Sequence, residues 1–193
     1  MNYKKLLKRI STQFILYIMF AANISVAQNG NSFTDIRDNK TYRTITLKDM
    51  VWMADNLNYG SQNSWCYNCE NYGRLYSYTD ATTACPEGWH LTTYEEWRKL
   101  NRMLETGVND IKSKTGWPDC INCYDYWDFG AKPGGKYTAE GRLYMQGEYG
   151  FWWTSTPDGD NKAKSVYMGY DIDYIDFESV PKTEGMSIRC VKN

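Results

Sequence analysis

Hydrophobic and polar residues alternate along much of the chain with a period of two, the spacing that puts successive side chains on opposite faces of a strand. Lys40 to Leu47 alternates Thr, Tyr and Ile in this way. Asp38-Asn39 makes a turn ahead of it, and Val51 to Leu57 (VWMADNL) continues in the same style. Later in the chain, Gly150 to Ser155 (GFWWTS), Ser165 to Tyr174 (SVYMGYDIDY), Ile175 to Val180 and Met186 to Val191 (MSIRCV) read as further strands. In the second of these, Val166, Met168, Tyr170, Ile172 and Tyr174 share one face, with Asp171 and Asp173 opposite.

The period changes between these two stretches. Tyr76 to Cys85 (YSYTDATTAC) forms one short helix stopped by Pro86 and Gly88, followed by a brief Trp89-His90-Leu91 strand. Thr92-Thr93-Tyr94-Glu95-Glu96 then holds two overlapping Ser/Thr-x-x-Glu capping boxes. Trp97, Leu100, Met103 and Leu104 follow at helical spacing up to Gly107, which predicts a helix over about Thr93 to Glu105. From Gly116 to Gly150 the chain is rich in glycine, aromatic and turn residues, with Pro133-Gly134-Gly135 as a firm break. Loops of this length in compact domains are often the functional part. The pattern predicts a mixed α+β fold, with helices early and an antiparallel sheet completed late.

The first residues change the picture of where this fold lives. Lys4, Lys5, Lys8 and Arg9 precede an apolar stretch from Phe14 to Ala22, and Ser25-Val26-Ala27 supplies the small residues before a signal-peptidase cut. A membrane span needs about 20 predominantly apolar residues, whereas Asn23 and Ser25 interrupt this one and Ser11, Thr12 and Gln13 dilute its start. The first cysteine, Cys66, lies far from the cut, which speaks against a lipid anchor there. The expected organisation is a signal peptide over 1–27, a flexible polar lead-in over 28–34 and one domain over 35–193, with no stable membrane insertion after cleavage. Cleavage leaves 18 Lys and Arg against 23 Asp and Glu, a net charge near −5 with no basic cluster, so nucleic acid is not an expected partner.

Six cysteines in an exported chain favour full pairing. Cys66 and Cys69 form one close pair, Cys120 and Cys123 another, and Cys85 and Cys190 stand far apart. The simplest assignment joins them in just that way, although six cysteines allow 15 pairings. Two other readings start from the Cys-x-x-Cys spacing. A four-thiolate zinc site is disfavoured because zinc ribbons separate their pairs by roughly 15 to 20 residues, far fewer than lie between Cys69 and Cys120. Trp65-Cys66-Tyr67-Asn68-Cys69 superficially resembles the thioredoxin motif, yet that motif opens a helix, and Asn71 to Tyr76 is glycine-broken and strand-like.

Several segments together resemble the Fibrobacter succinogenes major paralogous domain family, found in exported bacterial proteins. They are VWMADNL at Val51 to Leu57, YGRLY at Tyr72 to Tyr76, ACPEGWHL at Ala84 to Leu91, Glu95-Glu96-Trp97, SKTGW at Ser113 to Trp117, Pro133-Gly134-Gly135, WWTST at Trp152 to Thr156 and SIRCVKN at Ser187 to Asn193. The resemblance implies a C-type lectin-like fold, two helices packed on a twisted antiparallel sheet and stabilised by disulfides, in which Cys85 before the second helix finds Cys190 in the final strand. It carries no established activity. The Glu-Pro-Asn and Gln-Pro-Asp calcium signatures of sugar-binding C-type lectins are missing, since Trp117-Pro118-Asp119 lacks the leading residue. Lys132 stands where the resemblance leads one to expect an apolar residue.

No catalytic constellation, cofactor or metal site is expected. His90 is the single histidine, and a structural role suits it. Asp158, Asp160, Asp171, Asp173 and Asp176 have the oxygens calcium needs, but Asp158 to Asn161 reads as a turn and the later pair as the wet face of a strand. With 8 Trp and 17 Tyr, the chain holds rings enough to leave some at the surface. The run Tyr124-Asp125-Tyr126-Trp127-Asp128-Phe129, beside the second cysteine pair, marks Tyr124, Tyr126, Trp127 and Asp128 as candidate ligand-binding residues. The expected function is a noncatalytic extracytoplasmic binding or adhesion module for a glycan or protein surface, presenting this loop and the acidic hairpin around Asp158 to Asp176. The alternatives are a secreted enzyme, either a carboxylate hydrolase or a redox protein using Cys66 and Cys69, and a purely structural surface component. SIRCVKN is expected to close the sheet with no anchor after it, leaving the protein periplasmic or secreted.

Overall fold

A computed structural model describes residues 32–120 and 122–193. The expected signal peptide and most of the expected lead-in lie outside these residues. Ser32 to Thr34, the end of the expected lead-in, lie in the first strand.

The early strands are β1 (Ser32–Asp35), β2 (Lys40–Leu47), β3 (Met50–Met53), β4 (Ser64–Trp65), β5 (Leu75–Ser77) and β6 (Trp89–Leu91). Three helices lie among and after them: a single turn α1 (Cys69–Tyr72), α2 (Tyr78–Ala84) and α3 (Tyr94–Asn101). The remaining strands are β7 (Lys136–Tyr137), β8 (Leu143–Tyr144), β9 (Tyr149–Asp158), β10 (Lys162–Gly169), β11 (Asp176–Pro181), β12 (Gly185–Met186) and β13 (Cys190–Lys192). They make three antiparallel sheets, in the orders β1-β2-β3-β13-β6, β11-β10-β9 and β4-β5-β12-β7-β8.

This architecture corrects the expected C-type lectin-like layout of two helices packed on one twisted sheet. The described residues are mostly antiparallel β-structure, and the helices among them are too short to cover a sheet. The signal that starts α3 is real, because Thr93 and Glu96 close a capping box. Its apolar stripe is brief, however, with Trp97 and Leu100 buried. Met103 and Leu104 lie past the end, where their N–H groups bond back to Leu100 and Asn101 in tighter turns. The predicted extension to Glu105 therefore does not form.

Large rings fill the space that helices were expected to fill. Successive residues of one strand feed two separate cores, as the pleat requires. Trp153, Met53 and Cys190 enter one core, whereas their neighbours Trp152, Trp52 and Val191 enter the other. In the second core the ring centroids of Trp52 and Trp97 lie 5.2 Å apart and nearly edge-on, the arrangement that ring quadrupoles favour.

Two predicted strands are interrupted. Ser165 to Tyr174 ends at Gly169, so Tyr170, Ile172 and Tyr174 do not continue a sheet face. The carbonyl of Ile172 accepts instead from the Lys112 ammonium at 2.7 Å, and that of Asp173 from the Val108 N–H at 2.9 Å. Met186 to Val191 divides into β12 and β13, because the chain there crosses from one sheet to another and carries Arg189 through the core between them. Disulfides join Cys66 to Cys69, Cys85 to Cys190 and Cys120 to Cys123, the pairing of the simplest assignment. The second bridge ties the end of α2 to β13.

Candidate functional site

The aromatic segment after Cys123 is held by its backbone. The N–H groups of Tyr124 and Asp125 donate to the Asn109 carbonyl at 3.0 and 3.2 Å, and that of Trp127 to the Asp110 carbonyl at 3.4 Å. Asp125 takes a left-handed backbone, φ 44°, which a short polar side chain tolerates. Its buried carboxylate accepts from the Gly130 N–H at 2.9 Å and closes the loop on itself. Burial raises the Asp125 carboxyl above its ordinary range.

This scaffold separates the four candidate residues. Tyr124 and Tyr126 stack with centroids 4.8 Å apart and planes 12° from parallel, and they are 40% and 67% exposed. Asp128 is exposed as well. Trp127 turns inward and packs against the second core, so it belongs to the support of the loop rather than to its outer face. A second tyrosine-bearing loop, with Tyr170 and Tyr174 exposed, docks on the same place: a 3₁₀ turn over Val108–Asp110. Lys112, buried immediately after that turn, holds the second loop through Ile172.

Beside the aromatic loop lies a polar cleft of about 310 Å³. Lys40, Asp55, Asn58, Glu70, Tyr72 and Lys132 are among its walls, and Gly130 joins it to the loop. Gly130 has φ 63°, a left-handed backbone in which a side chain is strained, so the junction favours glycine. Beneath it Arg189 is fully buried, and burial pushes its guanidinium below the ordinary range. It donates to Asn56 Oδ1 at 2.9 Å and to the carbonyls of Met53, Phe129 and Gly130 at 3.2, 2.7 and 2.9 Å. Sequence reasoning missed Arg189, Lys112 and the cleft. An arginine between Ile188 and Cys190 in a strand-like run was the one local sign that a charge points inward.

The other candidates are accounted for locally. His90 bridges Asn193 Oδ1 at 2.7 Å and Glu96 Oε1 at 2.9 Å, and so braces the start of α3. Cys69 opens the one-turn helix α1, which takes the first residues of the strand-like stretch from Asn71, while β5 forms at its end. In the acidic hairpin Asp158 pairs with Lys164 at 3.1 Å, while Asp171 and Asp176 accept the hydroxyls of Tyr149 and Tyr167. Lys132, where an apolar residue was expected, reaches across to donate to the Asn71 carbonyl at 2.9 Å. Among the described residues no group of three His, Cys, Asp or Glu stands close enough to hold a metal ion, and no helix is long and apolar enough to cross a membrane.

Residues 45–192 match the family model described as the Fibrobacter succinogenes major domain. No curated protein and no solved structure matches the chain.

Proposed function

Because the chain belongs to the Fibrobacter succinogenes major domain family, whose description names no activity, we propose its function from the site alone: a noncatalytic extracytoplasmic binding module. The ligand is a glycan or protein surface engaged by the Tyr124–Tyr126 pair. One observation carries this reading, the exposure of two stacked rings on a loop whose backbone is pinned to Asn109 and Asp110. Rings already ordered before contact lose little entropy on binding, and tyrosine offers an apolar face with a polar tip. Such faces stack on sugar C–H surfaces or pack into a protein groove. The three disulfides are compatible with an oxidising compartment outside the cytoplasm.

The test is a glycan and protein array probed with the disulfide-intact chain, followed by Tyr124→Ala with Tyr126→Ala. The double variant should keep its melting temperature and lose binding by about tenfold or more. Trp127→Ala is the control for the support, and should lower the melting temperature instead. A double variant that binds every array hit as well as the parent would refute the role of the loop.

A further inference from the structure

We infer that the cleft beside Lys132 is a binding site for a sugar carrying a carboxylate, and that Lys132 is the residue that selects the acid over its neutral counterpart. This does not rest on the tyrosine loop, since its residues are different. The cleft volume of about 310 Å³ lies at the small end of ligand sites, which run from roughly 300 to 1,000 Å³. Such sites are mostly apolar, but this one is walled by ammonium, carboxylate, carboxamide and phenol groups. Its occupant must therefore offer hydrogen-bonding groups over most of its surface, as a sugar ring does.

The charges refine the choice. Lys132 is half-buried, its Nζ spends one N–H on the Asn71 carbonyl, and none of the described ion pairs includes it. Asp55, the nearby carboxylate, is held by Arg43, which donates to its Oδ1 from two nitrogens at 3.1 and 2.8 Å. Arg189 adds a buried positive charge under the floor. Lys132 thus offers two free N–H donors where a carboxylate can accept them, a charge-assisted bond stronger than a neutral one.

Acceptors stand in the same walls. The buried Asn58 Oδ1 has no hydrogen-bond partner, an uncommon state for a buried polar atom. Glu70 contributes an exposed carboxylate. The first lacks a donor and the second can accept one, and the Glu70 charge repels an ion charged on every side. Inorganic phosphate, a dianion with few hydrogens to give, fits the lysine but not these acceptors. A ring with one carboxylate and several hydroxyls fits both.

The experiment is an NMR titration of the folded chain with methyl glucuronide, methyl glucoside and inorganic phosphate. Methyl glucuronide should shift the amides of Asn58, Gly73 and Gly130 and bind about tenfold more tightly than the glucoside. Phosphate should not displace it. Lys132→Met should abolish the preference for the acid, and Lys132→Arg should keep it. Glu70→Gln, at an exposed position, should strengthen the acid relative to the glucoside. Equal affinity for the two sugars, displacement by phosphate, or shifts confined to other residues would each overturn the proposal. Loss of tyrosine-loop binding in the Tyr124 and Tyr126 variants leaves this site unchanged, so the two readings fail separately.

Discussion

The guanidinium carbon of Arg189 lies 4.4 Å from the centre of the Phe129 ring, while its Nη1 donates to the carbonyl of the same residue at 2.7 Å. One buried cation thus holds both the face and the backbone of the residue that ends the aromatic run. Its other bonds reach Met53, Asn56 and Gly130, so a single side chain fastens β3, the loop and the floor of the cleft together.

Replacing Arg189 by Met should leave these neutral acceptors buried and unpaired, a loss of about 1 to 3 kcal/mol for each one that finds no other donor, offset in part by relief of the buried charge. Arg189→Lys should recover little of it, because a point ammonium cannot span a planar fork of acceptors. Urea unfolding checks both. A variant within about 0.5 kcal/mol of the parent would show that the acceptors find other partners.

The three disulfides should contribute unequally. Cys85 and Cys190 are 105 positions apart, whereas the other pairs are each separated by 3. On the chain-entropy model the long bridge stabilises by about 4 to 5 kcal/mol and each short one by about 2. Paired Cys→Ala variants measured by thermal unfolding should rank in that order.

Lys112 gives the stability a pH dependence of known sign. Burial pushes its amine down to about 8, against an ordinary 10.5 in the unfolded chain. Below pH 8 both states carry the proton and the fold bears the full cost of the buried charge. As the pH rises from 8 toward 10.5 the folded chain sheds a proton that the unfolded chain keeps, so stability rises. Relative to Lys112→Met, the unfolding free energy of the parent should gain about 2 kcal/mol between pH 8 and 10. Taking the difference between the two proteins cancels the titration of the tyrosines. A flat difference across that window would mean that Lys112 stays protonated in the fold.

Parts of this molecule are legible from local chemistry. Lys40–Leu47 is a strand with the bounds its alternation predicts, and Thr93 and Glu96 form the capping box that their spacing predicts. Both follow from contacts a few residues long. The site was legible only in part. The aromatic run beside Cys123 could be picked out, but the inward turn of Trp127 depends on Asn109 and Asp110, which orient the loop from a distant place in the chain.

The sequence by itself determined the strand over Lys40–Leu47, the start of α3 and the motif order that marks the family, because period, capping and motif order are written in neighbouring residues. Only the tertiary structure decided that the strands form three sheets in place of one sheet with helices, since strand partners are chosen by long-range packing of rings that any sheet order can supply. It alone decided where β10 stops, which carbonyls Arg189 holds and what Lys132 faces. Each of those depends on a buried or half-buried charge finding acceptors some 60 to 136 positions away, and no local pattern encodes a partner at that distance.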